Sequence, residues 1–327
     1  MKPNQKRIDR GLWWDAGPMV VKGCTVVSPG CANCWAAGME HRFKTGNTTR
    51  GGKWSGRVQT DIGALEKAVR GKPKVITIWN DLFHEQVPFE FIDLVFAWMA
   101  LACDHQFLIL SKRQGRALEW SRLSISKGYT RFRVHSAAQN LCALSKDHVR
   151  LHLLPPPEES EFLVSKKYWE SIPVGASGMP WPLPNVWLGT SVETQDQIER
   201  VSYLLDAVAA KRFLSIEPML GPVSLDRVDC SAWETKCIVN PLSGKILEDS
   251  DSEMVGADAE RVDWVIVGAE SGPKRRPCNI EWVRKVVQDC RDAGVPVWVK
   301  QIHDKNGKVV HKLGEFPEDL RLREWPE

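Results

Sequence analysis

Six short apolar runs, each followed at once by polar side chains, constrain the fold of this chain more than any other feature. The runs occupy residues 74–79, 106–110, 185–191, 212–216, 263–268 and 295–300. Near-continuous apolar runs of this length indicate strands buried on both faces of a sheet. Helical patterns lie between them, at residues 88–102, 194–209 and 279–294. The alternation of strand and helix predicts a parallel sheet in an α/β fold.

A further strand is expected near residues 19–23, and seven strands suit a partial (β/α) barrel. We expect a single domain over residues 1–327, with insertions at about 114–184 and 226–261. Such folds carry their sites at the carboxyl ends of the strands. Polar residues stand at six of these ends: Asp81, Lys112, Glu193, Glu217, Glu270 and Lys300. A single polar residue can follow any strand. Polar residues at six strand ends that converge favour a functional site.

The loop after the first predicted strand contains three cysteines, Cys24, Cys31 and Cys34. Three cysteines cannot all pair with one another in disulfides, and they supply one ligand fewer than a closed tetrahedral metal site needs. Together with His41, the cysteines could form a structural Cys₃His zinc site. Alternatively, three thiolates could ligate a 4Fe-4S cluster and leave one iron open. An open iron is useful when another molecule, such as S-adenosylmethionine (SAM), binds to it.

The chain resembles a phage-associated family of radical-SAM-like proteins, long catalogued as a domain of unknown function. The resemblance covers most of the chain and lies in these segments: 23–25, 28–31, 33–34, 81–88, 91–100, 110–113, 180–193, 213–223, 263–277 and 294–301. It implies a partial (β/α) barrel of the radical SAM type, in which Cys24, Cys31 and Cys34 ligate a 4Fe-4S cluster. The implied cofactors are this cluster and SAM, which is cleaved to a 5′-deoxyadenosyl radical. An external electron donor such as flavodoxin is also implied.

The cysteine loop departs from the usual motif of radical SAM enzymes. Six residues separate Cys24 from Cys31 and two separate Cys31 from Cys34, a longer first spacing than is usual. Asn33 replaces the aromatic residue that normally precedes the third cysteine, and Trp35 follows it instead. Asn80 and Asp81 occupy the place of the usual Gly-Gly-Glu motif. By position, the SAM-binding candidates are Asn33, Trp35, Asn80, Asp81, Ser111, Lys112, Ser191 and Glu193.

Basic residues are concentrated directly after the cysteines. Residues 41–57 hold five Lys or Arg residues, Trp54 and no acidic residue, and a second basic stretch covers 112–150. Cations can bind phosphates, and an aromatic ring can stack on an exposed base. A solvated basic face is the alternative. The predicted nucleic-acid-binding residues are Arg42, Arg50, Lys53, Trp54, Arg57, Arg113, Arg275 and Arg276.

The resemblance to a phage family makes a modified base of phage DNA, as polymer or nucleotide, the expected substrate. A base in a duplex must leave the stack to enter a barrel mouth. Glu217, Glu270 and Lys300 would then hold its polar edge or move protons. Cys278 would return a hydrogen atom to a product radical, or it is an ordinary buried thiol. The expected reaction rearranges or functionalises a nucleobase, such as an amino-acid-substituted pyrimidine, and isomerase chemistry is one form of it.

Two alternative functions remain open at this point. One is a radical SAM enzyme that acts on a small metabolite or peptide. The other is a non-catalytic, zinc-stabilised nucleic-acid-binding protein.

We expect no membrane partner, because no apolar run approaches the roughly 18 residues that span a bilayer. The first eleven residues are charged and lack the apolar centre of a secretory signal. A cytoplasmic protein, in a phage-infected bacterial host, is therefore expected. The nine cysteines would stay mostly reduced there, which favours metal ligation for the clustered ones.

Overall fold

Strands and helices alternate along the chain as the six apolar runs predict. The structure is a computed structural model that describes residues 1–122, 133–138, 141, 180–230, 236–249 and 254–327. The helices are α1 (Gln5–Asp9), α2 (Trp35–Phe43), α3 (Ile62–Ala68), α4 (Phe89–Leu101), α5 (Gln114–Arg122), α6 (Glu199–Asp206) and α7 (Ile280–Asp292), and residues 133–138 are helical as well. The strands are β1 (Val21–Lys22), β2 (Gln59–Thr60), β3 (Val75–Thr77), β4 (Gln106–Ser111), β5 (Val186–Ser191), β6 (Lys211–Ile216), β7 (Val228–Asp229), β8 (Cys237–Asn240), β9 (Lys245–Asp249), β10 (Trp264–Gly268), β11 (Val297–His303) and β12 (Val309–Val310).

The central sheet is a curled half-barrel of seven strands. Its parallel strands follow chain order, β3-β4-β5-β6-β10-β11, and β12 pairs antiparallel with β11 at the far edge. All six predicted runs are therefore strands of this sheet, and neighbouring strands are joined mostly by helices on one face. Because the strands are parallel, their carboxyl ends meet at one edge of the half-barrel.

The predicted first strand is present but does not join the parallel sheet. β1 pairs antiparallel with β2 instead. The segment just before it takes the sheet edge: the amide of Ala16 donates to the carbonyl of Val75 at 3.2 Å, and the carbonyl of Ala16 accepts from the amide of Thr77 at 3.0 Å. The carbonyl of Pro18 accepts from the amide of Trp79 at 3.1 Å, and Asn80 Nδ2 donates to the carbonyl of Val21 at 2.8 Å, so the cysteine loop begins beside the carboxyl end of β3.

The two faces of the half-barrel bury different side chains, because successive residues of a strand point to opposite faces. Val265 and Val267 of β10 pack in the core that includes the helices. Trp264 and Ile266 point to the inner face, where large aromatic rings fill the space. The inner rings belong to Trp13, Trp187, Phe213, Trp264, Trp298 and Trp325.

The regions predicted as insertions contain some regular structure. Residues 226–261 include the small antiparallel sheet β7-β8-β9. At the start of the other region, α5 lies between β4 and β5 and contacts α6. Most of residues 123–179, and with them most of the second basic stretch, lie outside the described residues. No described helix is long and apolar enough to cross a membrane.

Candidate active site

A cleft of about 1170 Å³, open solvent at its mouth included, lies at the carboxyl ends of the parallel strands. The residues that follow these strands line it together with the cysteine loop. The predicted convergence of polar residues is therefore observed for most of them. The predicted residues that line the cleft are Cys24, Cys31, Asn33, Cys34, Trp35, Trp54, Asn80, Asp81, Ser111, Lys112, Arg113, Ser191, Glu217, Glu270 and Lys300.

The three cysteines of the loop are half-buried free thiols that line the cleft together. A tight turn over Pro29–Cys31 carries the second, and α2 begins directly after the third. Within the described part of the chain, no three His, Cys, Asp or Glu side chains lie close enough to hold one metal ion. His41, the proposed fourth zinc ligand, is exposed and its Nδ1 lies 3.3 Å from the Thr48 hydroxyl. The thiols thus border a space and do not converge on a point.

Arg113 supports the first cysteine from within the protein. Its Nη1 lies 3.6 Å from the Sγ of Cys24 and donates to Asp81 Oδ2 at 3.0 Å, while its Nε donates to Glu85 at 2.8 Å. Burial raises the pKa of Cys24 to about 12, and the Asp81 carboxylate adds to the effect, against the opposing charge of Arg113. Arg113 was expected to bind nucleic acid; the residue is 7% exposed, and its guanidinium donates to Glu85, Asp81 and Thr25.

Lys112 supports the second cysteine. Its Nζ lies 3.8 Å from the Sγ of Cys31 and forms an ion pair with Glu193. Burial alone would raise the pKa of Cys31, but the charge of Lys112 and backbone hydrogen bonds at Val27 and Ser28 outweigh it, so this pKa is lowered. In contrast, burial raises the pKa of Cys34.

Glu193 lies behind the cleft wall and does not line the cleft, although the sequence suggested that it contacts SAM. Its side chain is 0% exposed. It accepts hydrogen bonds from the Ser28 hydroxyl at 2.6 Å and from Arg200 Nη1 at 2.9 Å. A Cβ on Gly30 would lie 2.3 Å from its Oε1. Glu193 therefore anchors the cysteine turn to the end of β5.

Glu270 and Arg276 join the other side of the cleft to the same loop. Arg276 donates to both carboxylate oxygens of Glu270, at 2.9 and 2.5 Å, and its Nη1 donates to the carbonyl of Pro29 at 2.9 Å. Asn33 Nδ2 donates to Glu270 Oε2 at 3.1 Å. Arg275 points elsewhere, and its Nε donates to the carbonyl of Gly307 at 2.7 Å. Both arginines were expected to contact nucleic acid, and both bind protein groups.

Glu217 and Lys300 form an acid–base pair that lines the cleft. Lys300 Nζ lies 2.5 Å from Glu217 Oε1, and the two side chains are 14% and 16% exposed. Lys300 also lies over the ring of Trp14, 5.4 Å from its centroid. The pair presents a donor and an acceptor side by side, next to the ring of Trp14.

Tryptophans form much of the cleft surface, and sequence reasoning missed three of them. Trp13, Trp14 and Trp79 line the cleft beside the predicted Trp35 and Trp54. Trp35 packs edge-to-face on Trp79, with centroids 4.8 Å apart. The signal was present in the sequence, because Trp79 ends an apolar run directly before Asn80, and Trp13 and Trp14 are adjacent.

The remaining predicted residues lie outside the cleft. Cys278 is half-buried, burial raises its pKa to about 11, and its amide donates to His303 Nδ1 at 3.2 Å. The other four are exposed: Arg42, Arg50, Lys53 and Arg57.

Fold and site together define an α/β half-barrel protein with a thiol-, charge- and tryptophan-lined cleft at the carboxyl edge of its sheet. The chain belongs to the family described as protein of unknown function (DUF5131), whose model matches residues 11–317. No curated protein and no solved structure matches the chain.

Proposed function

We propose that this chain is a radical SAM enzyme that holds a 4Fe-4S cluster on Cys24, Cys31 and Cys34 and rearranges or functionalises a nucleobase. One observation carries the proposal. Three free cysteines from one short loop line a single cleft at the carboxyl edge of a half-barrel sheet, and no fourth cysteine among the described residues lines it. A cluster with three protein ligands keeps one iron open to a small molecule in that cleft.

The residues around the cysteines fit such a cluster. Its ligands are thiolates, and Arg113 and Lys112 place positive charge near two of the three sulfurs. Hydrogen bonds and charges next to ligating sulfurs stabilise a cluster and tune its potential. When bound, the cluster supplies the electron that cleaves SAM.

The remaining cleft residues would bind and orient SAM. The carboxylate of Asp81 already accepts hydrogen bonds from Ser111 Oγ at 2.6 Å and from Arg113 at 3.0 Å. Its role in this proposal is therefore to position the residues at the end of β4. Asn33 and Ser191 present polar atoms to the cleft. The ring faces of Trp35 and Trp79 suit an adenine, because aromatic rings stack on bases.

The Glu217–Lys300 pair would act on the substrate, whereas Glu270 is held by Arg276 and Asn33 and would position the cysteine loop. A nucleobase has a flat ring with adjacent donors and acceptors on its edge. The carboxylate and ammonium groups of Glu217 and Lys300 can pair with such an edge or hold a proton next to it. The ring of Trp14 lies beside Lys300 and offers apolar contact for the base.

The proposal is tested on protein purified without oxygen. We expect a brown protein with about four irons and four sulfides per chain, which forms 5′-deoxyadenosine from SAM with dithionite or a flavodoxin system. Cys24→Ala, Cys31→Ala and Cys34→Ala should each lose the colour and the iron. The control Cys290→Ala, in a buried position on α7, should retain both.

Two outcomes would overturn this proposal: stoichiometric zinc without iron, or an intact cluster that yields no 5′-deoxyadenosine with or without substrate. The base is then identified by incubating the active protein with candidate DNAs, digesting them to nucleosides and measuring their masses.

A further inference from the structure

We infer that the substrate base enters the cleft from a single-stranded nucleic acid, and that the rim of the cleft binds neighbouring nucleotides of the same strand. The rim comprises α2 and the basic hairpin, which we define as residues 44–57. This inference rests on the proposed function for the assignment of the cleft to a base. The contacts of the rim itself are independent of that assignment.

The basic hairpin is ordered by its own hydrogen bonds. The amide of Thr49 donates to the carbonyl of Lys53 at 2.7 Å, and the amide of Ser55 donates to the carbonyl of Asn47 at 3.0 Å. The buried Asn47 side chain donates to Glu40 of α2 at 3.0 Å, which ties the hairpin to the helix. A surface that is ordered before binding loses little conformational entropy when it binds.

Among the described residues, no acidic side chain neutralises the positive charges of the rim. Arg42, Lys44, Arg50, Lys53 and Arg57 are exposed, and across the described ranges none of them forms an ion pair with a described acid. Some exposed cations elsewhere are paired, as in Arg70–Glu66 and Lys285–Asp289, whereas others such as Lys72 and Lys305 form no ion pair with a described acid. Uncompensated cations on one surface raise the local concentration of phosphates and bind them.

Aromatic faces between these cations favour single strands over duplex. Phe43 is 57% exposed and stands at the carboxyl end of α2. Trp54 of the hairpin lines the cleft itself. Exposed rings stack on unpaired bases, whereas the bases of a duplex are already stacked on each other. Cations alone would bind either form.

The position of the cations favours a strand over a free nucleotide. Arg42, Arg50, Lys53 and Arg57 do not line the cleft, although Trp54 of the same hairpin does. A nucleotide seated in the cleft would leave these cations without a phosphate. In a longer strand, the substrate base can occupy the cleft while the flanking phosphates bind to the cations of the rim.

The experiment measures binding of the anaerobically reconstituted full chain by fluorescence anisotropy. The probes are a single-stranded oligodeoxynucleotide, its duplex with the complementary strand, and a mononucleotide as competitor. We expect the single strand to bind about tenfold or more tighter than the duplex, with log affinity linear in log salt at a slope of about −0.7 per phosphate contacted. The mononucleotide should compete poorly.

Three variants locate the binding surface. Replacing Arg50, Lys53 and Arg57 together by Ala should make the salt slope shallower by about 2. Phe43→Ala should weaken single-strand binding about fivefold or more without changing the slope, because it removes stacking and not charge. The matched control replaces Lys67, Arg70 and Lys72 by Ala, an equal charge change near the amino end of β3, and should bind as the wild type does.

Duplex binding as tight as single-strand binding, competition by the mononucleotide at equal concentration, or equal effects of the two triple variants would each overturn the inference. Iron content and 5′-deoxyadenosine formation are measured on the same preparation. Absent strand binding with an active cluster overturns this inference alone. Strand binding without cluster or SAM cleavage overturns the proposed function alone.

Discussion

At the scale of single residues, the two consecutive cationic side chains after β4 lie next to different cysteines. Lys112 lies 3.8 Å from the sulfur of Cys31, and Arg113 lies 3.6 Å from the sulfur of Cys24. Sequence reasoning assigned the first to SAM and the second to nucleic acid. Those assignments stay predictions; what the structure shows is that each cation lies near a thiol, where its positive charge favours the thiolate form.

We predict that Arg113→Met makes the reduction potential of the reconstituted cluster more negative, by on the order of 50 mV or more, because a nearby positive charge favours the reduced form. It should also destabilise the fold by about 3–5 kcal/mol, since Asp81 loses its buried partner. The double variant Asp81→Asn with Arg113→Met should recover part of the stability but not the potential. A redox titration followed by electron paramagnetic resonance measures the potential. An unchanged value in Arg113→Met would show that this charge does not act on the cluster.

A pH dependence follows from Glu193. Burial alone would raise the pKa of this carboxyl. The charges of Lys112 and Arg200 and the hydrogen bonds from Lys112 and Ser28 outweigh that effect, so the folded-state pKa lies below its ordinary value of 4.5. A lowered folded-state pKa stabilises the fold fully above the unfolded pKa, and that stabilisation is lost as the pH falls through the folded pKa. We therefore expect the free energy of unfolding to fall below about pH 4.5 more steeply in the wild type than in Glu193→Gln. Denaturant unfolding at several pH values measures it, and parallel curves for the two proteins would contradict the prediction.

At the scale of elements, the turn Pro29–Cys31 depends on its close approach to the end of β5. Gly30 leaves room for Glu193, because a Cβ at this position would lie 2.3 Å from the carboxylate. The turn carries Cys31, so its position sets where that thiol faces the cleft. Contacts between segments far apart in sequence thus place the cysteine loop.

We predict that Gly30→Ala lowers the iron content of the reconstituted protein and destabilises it by about 1–3 kcal/mol, because the turn must move away from Glu193. The matched control is Gly38→Ala in α2, where a Cβ meets nothing within 4 Å. That change should be neutral or stabilising by up to about 1 kcal/mol, since Ala favours helix over Gly. Iron analysis and urea unfolding measure both variants. Equal iron content in the two would mean that the turn tolerates displacement.

At the scale of the whole molecule, the inner face of the half-barrel is filled with aromatic rings. Trp264 is fully buried at its centre, with ring centroids 4.8 Å from Trp325 and 5.9 Å from Phe213. Gly189 makes room for that phenylalanine, since a Cβ there would lie 2.4 Å from the ring. Among the described residues, aromatic rings fill the inner face of the half-barrel, and an open cleft lies at its carboxyl edge.

We predict that Trp264→Ala lowers the free energy of unfolding by about 3–5 kcal/mol, because it leaves a cavity in a closely packed interior. Trp264→Phe should cost less, since most of the ring volume remains. Trp282→Ala, at a half-buried position on α7, should cost less than Trp264→Ala. Urea unfolding compares the three variants. A smaller loss for Trp264→Ala than for Trp282→Ala would show that the inner face is loosely packed.

The strands, the main helices and the edge at which polar residues converge were predictable from the sequence. Each apolar run such as 263–268 is long enough to indicate a buried strand by itself, and parallel strands necessarily share a carboxyl edge. The three cysteines do line that cleft, but the ground on which the sequence predicted it was wrong, because the strand before their loop, β1, pairs with β2 and not with the parallel sheet. Their proposed cluster and its chemistry stay predictions.

The partners of the site residues were decided only by the tertiary structure. Ser28 and Glu193 are 165 positions apart and Asn33 and Glu270 are 237 apart, so no local pattern indicates that they meet. The same holds for β1, which pairs with β2 because residues before it take the edge of the sheet. Local sequence determines which segments are strands and where charged side chains occur. Whether a charge faces the cleft or a buried partner depends on long-range packing, since a buried ion must be paired wherever the fold places its counterion.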